Sequence, residues 1–131
     1  MRHPQADCIP TSHIYMHNPE NNAIACDIFK GVAKIAREQQ TKYQEIEIIQ
    51  EIIQNGIDRE ALRDEIYVQC MRQLTNNPNE EQVYRLWLLL CHIVGSFPPS
   101  QSLSKVQSSM VFIDALLRKI VSLISVFCDL P

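Results

Sequence analysis

Between residues 83 and 94 the chain reads VYRLWLLLCHIV. Val83, Leu86, Trp87, Leu88, Leu89, Leu90, Cys91, Ile93 and Val94 leave little polar surface on a helix of that length. A helix that is apolar on nearly all sides must be covered by other elements. Asn79 is placed to start it, with Gln82 three residues on as a capping partner, and Gly95 is expected to end it. The expected architecture is therefore all-α, a compact helical bundle around a buried central helix at about 80–95.

The neighbours of that helix are legible upstream. Ile24, Ile28, Phe29, Val32, Ile35 and Ala36 recur at helical spacing and predict a helix at about 20–39. Thr41 with Gln44 resembles a capping box and opens a second helix, about 43–55. Its apolar stripe runs through Ile46, Ile49, Ile53 and Ile57, widened by Ile48 and Ile52, and the Asn55-Gly56 pair is expected to stop it in a left-handed turn. Asp58 is placed to cap a third helix, about 59–75, on which Leu62, Ile66, Cys70 and Leu74 share a face with Tyr67 and Met71 beside them. Residues 1–19, with Pro4, Pro10 and Pro19, have no periodicity and form an irregular arm. Past the Phe97-Pro98-Pro99-Ser100 turn another helix is expected from near Ser102, with Met110, Ile113, Leu117, Ile120 and Ile124 at helical spacing.

Composition narrows the function. A chain of 131 residues is expected to form one domain. The formal net charge of -3 gives no push toward nucleic acid or an anionic membrane. Five Cys, an odd number with no CxxC pair, point to a reduced, intracellular protein. The first ten residues, MRHPQADCIP, hold no apolar run of a signal peptide. The apolar segment 110–127 is interrupted by Asp114, Arg118 and Lys119, so no membrane span is expected.

Residues that could carry chemistry have plainer readings. Asp64 and Glu65 are adjacent, so on a helix they diverge by about 100° and cannot converge on one substrate. Negative charge at a helix start explains them better. The set Cys8, His13, His17 and Cys26 has no zinc-site spacing. Cys70, the thiol of a conceivable pair with His92, falls on an apolar stripe, where an inert core thiol is expected. No Gly-rich phosphate loop, GxSxG or HExxH occurs. No enzyme, metal or cofactor is therefore expected. Lys30, Lys34 and Arg37 fall at i, i+4 and i+7, with Lys42 beyond the helix end. This basic stripe is either a solvated face or a contact for an acidic partner.

The segments LRDEIYVQCMRQLTNNPN and LWLLLCHIVGSFPPSQSL, in that order and spacing, resemble the myosin tail homology 4 (MyTH4) domain. IFKGVAKIA and EIEIIQEIIQNGID fit the earlier helices of that family, and the likeness extends from about Ala23 to Lys105. The resemblance implies a helical, non-catalytic domain in which Arg63, Asp64, Glu65 and Tyr67 are architectural. It further implies that Asn76-Asn77-Pro78-Asn79 is the turn between two helices, that Trp87 belongs to the apolar helix, and that Phe97, Pro98 and Pro99 close it. Residues 20–107 then form a partial domain of this type. Residues 108–131 are a divergent apolar helix or tail, which either caps the bundle or marks a truncated isoform or gene-model end.

The function implied is a cytoskeletal interaction module that binds microtubules or cargo, with a FERM domain beside it in the parent protein and a cytoplasmic, cytoskeleton-associated location. Lys30, Lys34, Arg37 and Lys42 are the candidate contact residues, chosen by spacing alone. The alternatives are a segment of a RhoGAP or pleckstrin-homology signalling adaptor, or a fragment with no binding activity of its own.

Overall fold

The structure is a computed structural model and describes residues 8–100. The chain from Cys8 to Pro98 belongs to one unit. The helix expected from Ser102, with its stripe from Met110 to Ile124, lies outside the described residues, as do the closing segments 101–107 and 108–131.

Four α-helices and one short 3-10 turn make up the regular structure among the described residues: α1 Pro19–Arg37, α2 Lys42–Asp58, the 3-10 turn Glu60–Leu62, α3 Arg63–Leu74 and α4 Glu80–Ser96. Every pair of these helices is in contact, and α4 touches all three others, as a central helix must. Leu86, Leu89, Leu90 and Ile93 of α4 are buried, whereas Trp87, Leu88, Cys91 and Val94 are half-buried. Helix α1 shares the centre: Ala25, Ile28, Phe29, Val32, Ala33, Ile35 and Ala36 are all buried.

Local chemistry explains where the helices begin. Asn18 accepts the Glu20 N–H at 2.9 Å, and Pro19 has no N–H to leave unpaired at the first position of α1. Thr41 and Gln44 form the expected reciprocal capping box on α2. Asn79 accepts the Gln82 N–H at 3.1 Å and starts α4. The Gln82 side chain, however, accepts from Asn77 Nδ2 and so does not complete a box.

Both glycine stops are corrected. Helix α2 runs through Gly56 to Asp58, and no glycine has a positive φ among the described residues. The left-handed residue is Asn76, at φ 54°, directly after the C-cap of α3. Asparagine tolerates that region because its short side chain bonds locally. Gly56 serves space instead: a Cβ there would lie 2.3 Å from two ring atoms of Phe97. Helix α4 likewise passes Gly95 and ends at Ser96, because Phe97 precedes Pro98 and is driven into extended backbone at φ -157°, ψ 146°.

Two further expectations change. Asp58 does not cap the third helix; its carboxylate accepts from Gln54 Nε2 within α2, and Arg59, the residue before the 3-10 turn, gives that turn no side-chain cap. Arg59 reaches back to the start of α1, donating to Asn21 Oδ1 and Glu20 Oε1. The core face of α2 is also turned from the expected stripe. Ile52 and Gly56 are its buried residues, while Ile46 and Ile57 are 45% and 47% exposed.

Candidate functional site

Arg63 and Tyr67 of the LRDEIY segment meet Phe97 of the FPP segment at one corner of the bundle. Arg63 Nε donates to the Gly56 carbonyl at 2.8 Å, and its guanidinium donates to the Ile57 carbonyl at 3.2 Å. These are carbonyls of the last turn of α2, which have no partner inside their helix, and a cation suits that end of the dipole. The same guanidinium stands 5.8 Å from the centre of the Phe97 ring. Tyr67, buried, packs edge-on against that ring and donates its hydroxyl proton to the Phe97 carbonyl at 2.7 Å. Burial therefore holds its phenol well above the usual tyrosine range. Arg63, Tyr67, Gly56 and Phe97 thus lock the end of α2, the start of α3 and the end of α4 together. Asp64 lies half-buried in the first turn of α3, and Trp87 half-buried on α4. Pro98 is exposed, Pro99 half-buried, and Pro78 exposed in the turn before α4.

Glu65 has a different role from the one its position suggested. It lies in the first turn of α3 but is 0% exposed. Its two oxygens accept the backbone N–H groups of His13, at 3.1 Å, and Ile14, at 2.7 Å, and one also accepts from Gln69 Nε2 at 2.7 Å. Gln69 donates in turn to the Ala25 carbonyl of α1 at 2.9 Å, and Gln73 accepts from Arg37 at 3.4 Å. Glu65, Gln69 and Gln73 are spaced by four, so they form one buried polar ladder joining α3 to α1 and to the arm. The i, i+4, i+8 spacing was the signal in the sequence. It is invisible as burial because polar residues are normally assigned to the solvent face.

Cys70 is fully buried on α3, and burial pushes its thiol up to about 12; His92 is exposed on α4. Cys26 and Cys91 are also raised, first by burial. His13 is lowered by burial; Glu65 opposes that shift and Arg72 adds to it. Among the described residues no group of three or more His, Cys, Asp or Glu is placed to hold a metal ion. No helix among them is long and apolar enough to cross a membrane.

The basic stripe does converge. Lys30, Lys34 and Arg37 line one groove of about 280 Å³ together with Ala33, Glu38 and Cys8 of the arm. A second groove of about 160 Å³, between α1 and α2, shares Lys30 and Lys34 and adds Asp27, Glu51 and Asn55 to its rim. Lys30 stands 3.9 Å from Asp27, an exposed pair that contributes at most ~1 kcal/mol and leaves the ammonium in water. Lys42, exposed at the first position of α2, does not line the three-cation groove. The arrangement suits weak, salt-sensitive attraction of carboxylates, not covalent chemistry.

Comparison with known proteins gives a consistent result. The sequence model of the MyTH4 domain family matches residues 49–119, which runs past Lys105. The unconventional myosin heavy chain 6 of Caenorhabditis elegans is 52% identical over 54 residues, 41% of this chain and 3% of the myosin. Myosin-VIIa of Drosophila melanogaster is 54% identical over 50 residues, 38% of this chain and 2% of that protein. In three dimensions the chain is similar to the MyTH4-FERM MF1 domain of Dictyostelium discoideum myosin VII, with a TM-score of 0.73 and 26% identity over 83% of this chain and 23% of that one. The chain thus spans only a small part of the proteins it matches.

Proposed function

The chain belongs to the MyTH4 domain family, and on that footing we propose that it is a non-enzymatic interaction module of a cytoskeletal motor or adaptor. Its partner surface is the groove of Lys30, Lys34 and Arg37, and its partner is an acidic protein segment such as the carboxylate-rich tails of tubulin on microtubules, or an acidic stretch of cargo. In the parent protein a FERM domain adjoins it, as in the myosin VII structure it resembles, and the location is cytoplasmic and cytoskeletal.

One observation carries this reading: three cations spaced along α1 line a single concave surface. Clustered positive charge raises the local concentration of an acidic chain and speeds its encounter. The overall charge of -3 and the nearby Asp27, Glu38 and Glu51 oppose it, so the contact is weak and short-ranged.

Co-sedimentation with stabilised microtubules tests the reading. The chain is expected to pellet with microtubules at low salt and to be released as salt rises. Lys30→Glu, Lys34→Glu and Arg37→Glu together should abolish pelleting. Binding that survives the triple reversal unchanged would place the partner surface elsewhere.

A further inference from the structure

The arm crosses the bundle in an ordered way that the interaction reading does not use. Ser12 donates its backbone N–H to Asn22 Oδ1 of α1 at 2.9 Å. The His13 ring meets Phe29 edge-on, with centroids 6.0 Å apart. His13 and Ile14 give their N–H groups to the two oxygens of Glu65. Residues 12–14 are thereby fixed to α1 and α3 at once. Four residues upstream of Ser12, Cys8 lines the same groove as Lys30, Ala33, Lys34 and Arg37. Four residues reach at most ~14 Å, so Cys8 stays within that distance of the fixed segment.

We propose that the arm, residues 8–14, is a clasped wall of the basic groove, that Glu65 is its clasp, and that an acidic peptide binds the clasped form more tightly than the released one. The proposal rests on the reading of the groove as the partner surface. Its physical basis is twofold. A carboxylate buried to 0% exposure must be fully hydrogen-bonded, and two of its three donors are arm amides, so clasp and arm stabilise each other. With the arm docked, Cys8 and the three cations line one groove, so a bound peptide touches the arm as well as the charged side chains. With the arm released they lie on an open helix face. A ligand with different affinities for two states shifts their populations, and reciprocally the arm's state sets the apparent affinity. Glu65 acts through the arm and does not touch the ligand; it is a positioning residue.

The experiment uses the whole 131-residue chain and a fluorescent oligoglutamate peptide as probe. Two variants loosen the clasp from opposite sides. Ile14→Pro removes one arm N–H without altering α3, and Glu65→Gln keeps size and an acceptor while giving up the charge. Amide hydrogen exchange reports whether the arm is docked and whether the four helices remain protected. The expected result is faster exchange at Ser12 and His13, retained protection in the helices, and about tenfold weaker peptide binding with an unchanged salt dependence, as for a coupling of ordinary size. Faster arm exchange with unchanged affinity overturns the wall. Arm exchange that is unaltered in both variants overturns the clasp. If the wild-type chain fails to bind oligoglutamate, or binds it equally after reversal of Lys30, Lys34 and Arg37, the groove reading fails and the wall with it, while the exchange data still decide the clasp.

Discussion

Gly31, Gly56 and Gly95 all lie inside helices and none has a positive φ. By propensity alone, alanine at each should stabilise by about 1 kcal/mol. The surroundings separate them. Nothing lies within 4 Å of a Cβ at Gly95, so Gly95→Ala should realise most of that gain. At Gly31 the added methyl meets Ile48 Cγ2 at 3.3 Å and Ile52 Cδ1 at 3.4 Å, a tight contact that offsets much of the gain and leaves the change near neutral. At Gly56 it would lie 2.3 Å from Cε1 and Cζ of Phe97 and 3.2 Å from Ile66 Cδ1. Ordinary carbon contacts are about 3.5–4.0 Å, so the ring must move by more than ~1 Å. It is not free to do so, because Tyr67 packs against its edge and bonds its carbonyl, and Arg63 lies over it. Overpacking of this kind costs about 1–3 kcal/mol. Taking the upper end and subtracting the propensity gain leaves Gly56→Ala about 2 kcal/mol destabilising.

Thermal unfolding followed by circular dichroism at 222 nm is the assay. For a domain of this size 1 kcal/mol corresponds to roughly 4 °C in Tm. Gly95→Ala is expected to raise Tm by about 3 °C, Gly31→Ala to change it little, and Gly56→Ala to lower it by about 8 °C. Adding Phe97→Leu, which vacates part of the contested space, should make the double variant less destabilised than the sum of the single changes. A Gly56→Ala protein as stable as Gly95→Ala would refute the argument that the glycine exists to admit the ring.

Three other outcomes follow from the same corner and its neighbours. Tyr67→Phe removes the bond to the buried Phe97 carbonyl and should lower stability by about 1–2 kcal/mol in urea titration, without loss of helical signal. Asn79→Ala removes the cap that accepts from Gln82 N and should destabilise by about 1 kcal/mol in the same titration, with faster amide exchange confined at first to the opening turn of α4. Cys70, pushed up to about 12 by burial against an ordinary value of 9.0, stays protonated in the fold while its unfolded form ionises. Stability is therefore unaffected by this group below pH 9 and falls as pH rises from about 9 toward about 12; at pH 8 a thiol reagent should modify exposed Cys8 quickly and Cys70 only after unfolding.

The helices were legible in the sequence because their signals are local. The 3.6-residue period, the Thr41–Gln44 box and the Asn79 cap need only neighbours along the chain, and the structure reproduces them. What failed needed knowledge of a distant partner. Asn55-Gly56 looks like a stop, yet Gly56 is small because Phe97, far along the chain, packs there. On α2 two overlapping stripes of isoleucine offered equal apolarity, and local pattern alone could not choose Ile52 over Ile46 and Ile57. Glu65 sits where helix-dipole electrostatics would place it, so nothing local revealed that it is buried against the arm. At the candidate site, the spacing of Lys30, Lys34 and Arg37 sufficed to put them on one face. That Cys8 of the arm lines the same groove, and that Lys42 does not, depended on how residues 8–14 cross the bundle.

The central claim is that an acidic chain docks on α1 between Lys30 and Arg37. The direct measurement is a titration of the isotopically labelled 131-residue chain with an oligoglutamate peptide, followed by backbone amide NMR. Shifts are expected to concentrate at Lys30, Ala33, Lys34, Arg37 and the arm near Cys8, and to diminish as salt is raised. Shifts centred on any other face, or none at low salt, would contradict it.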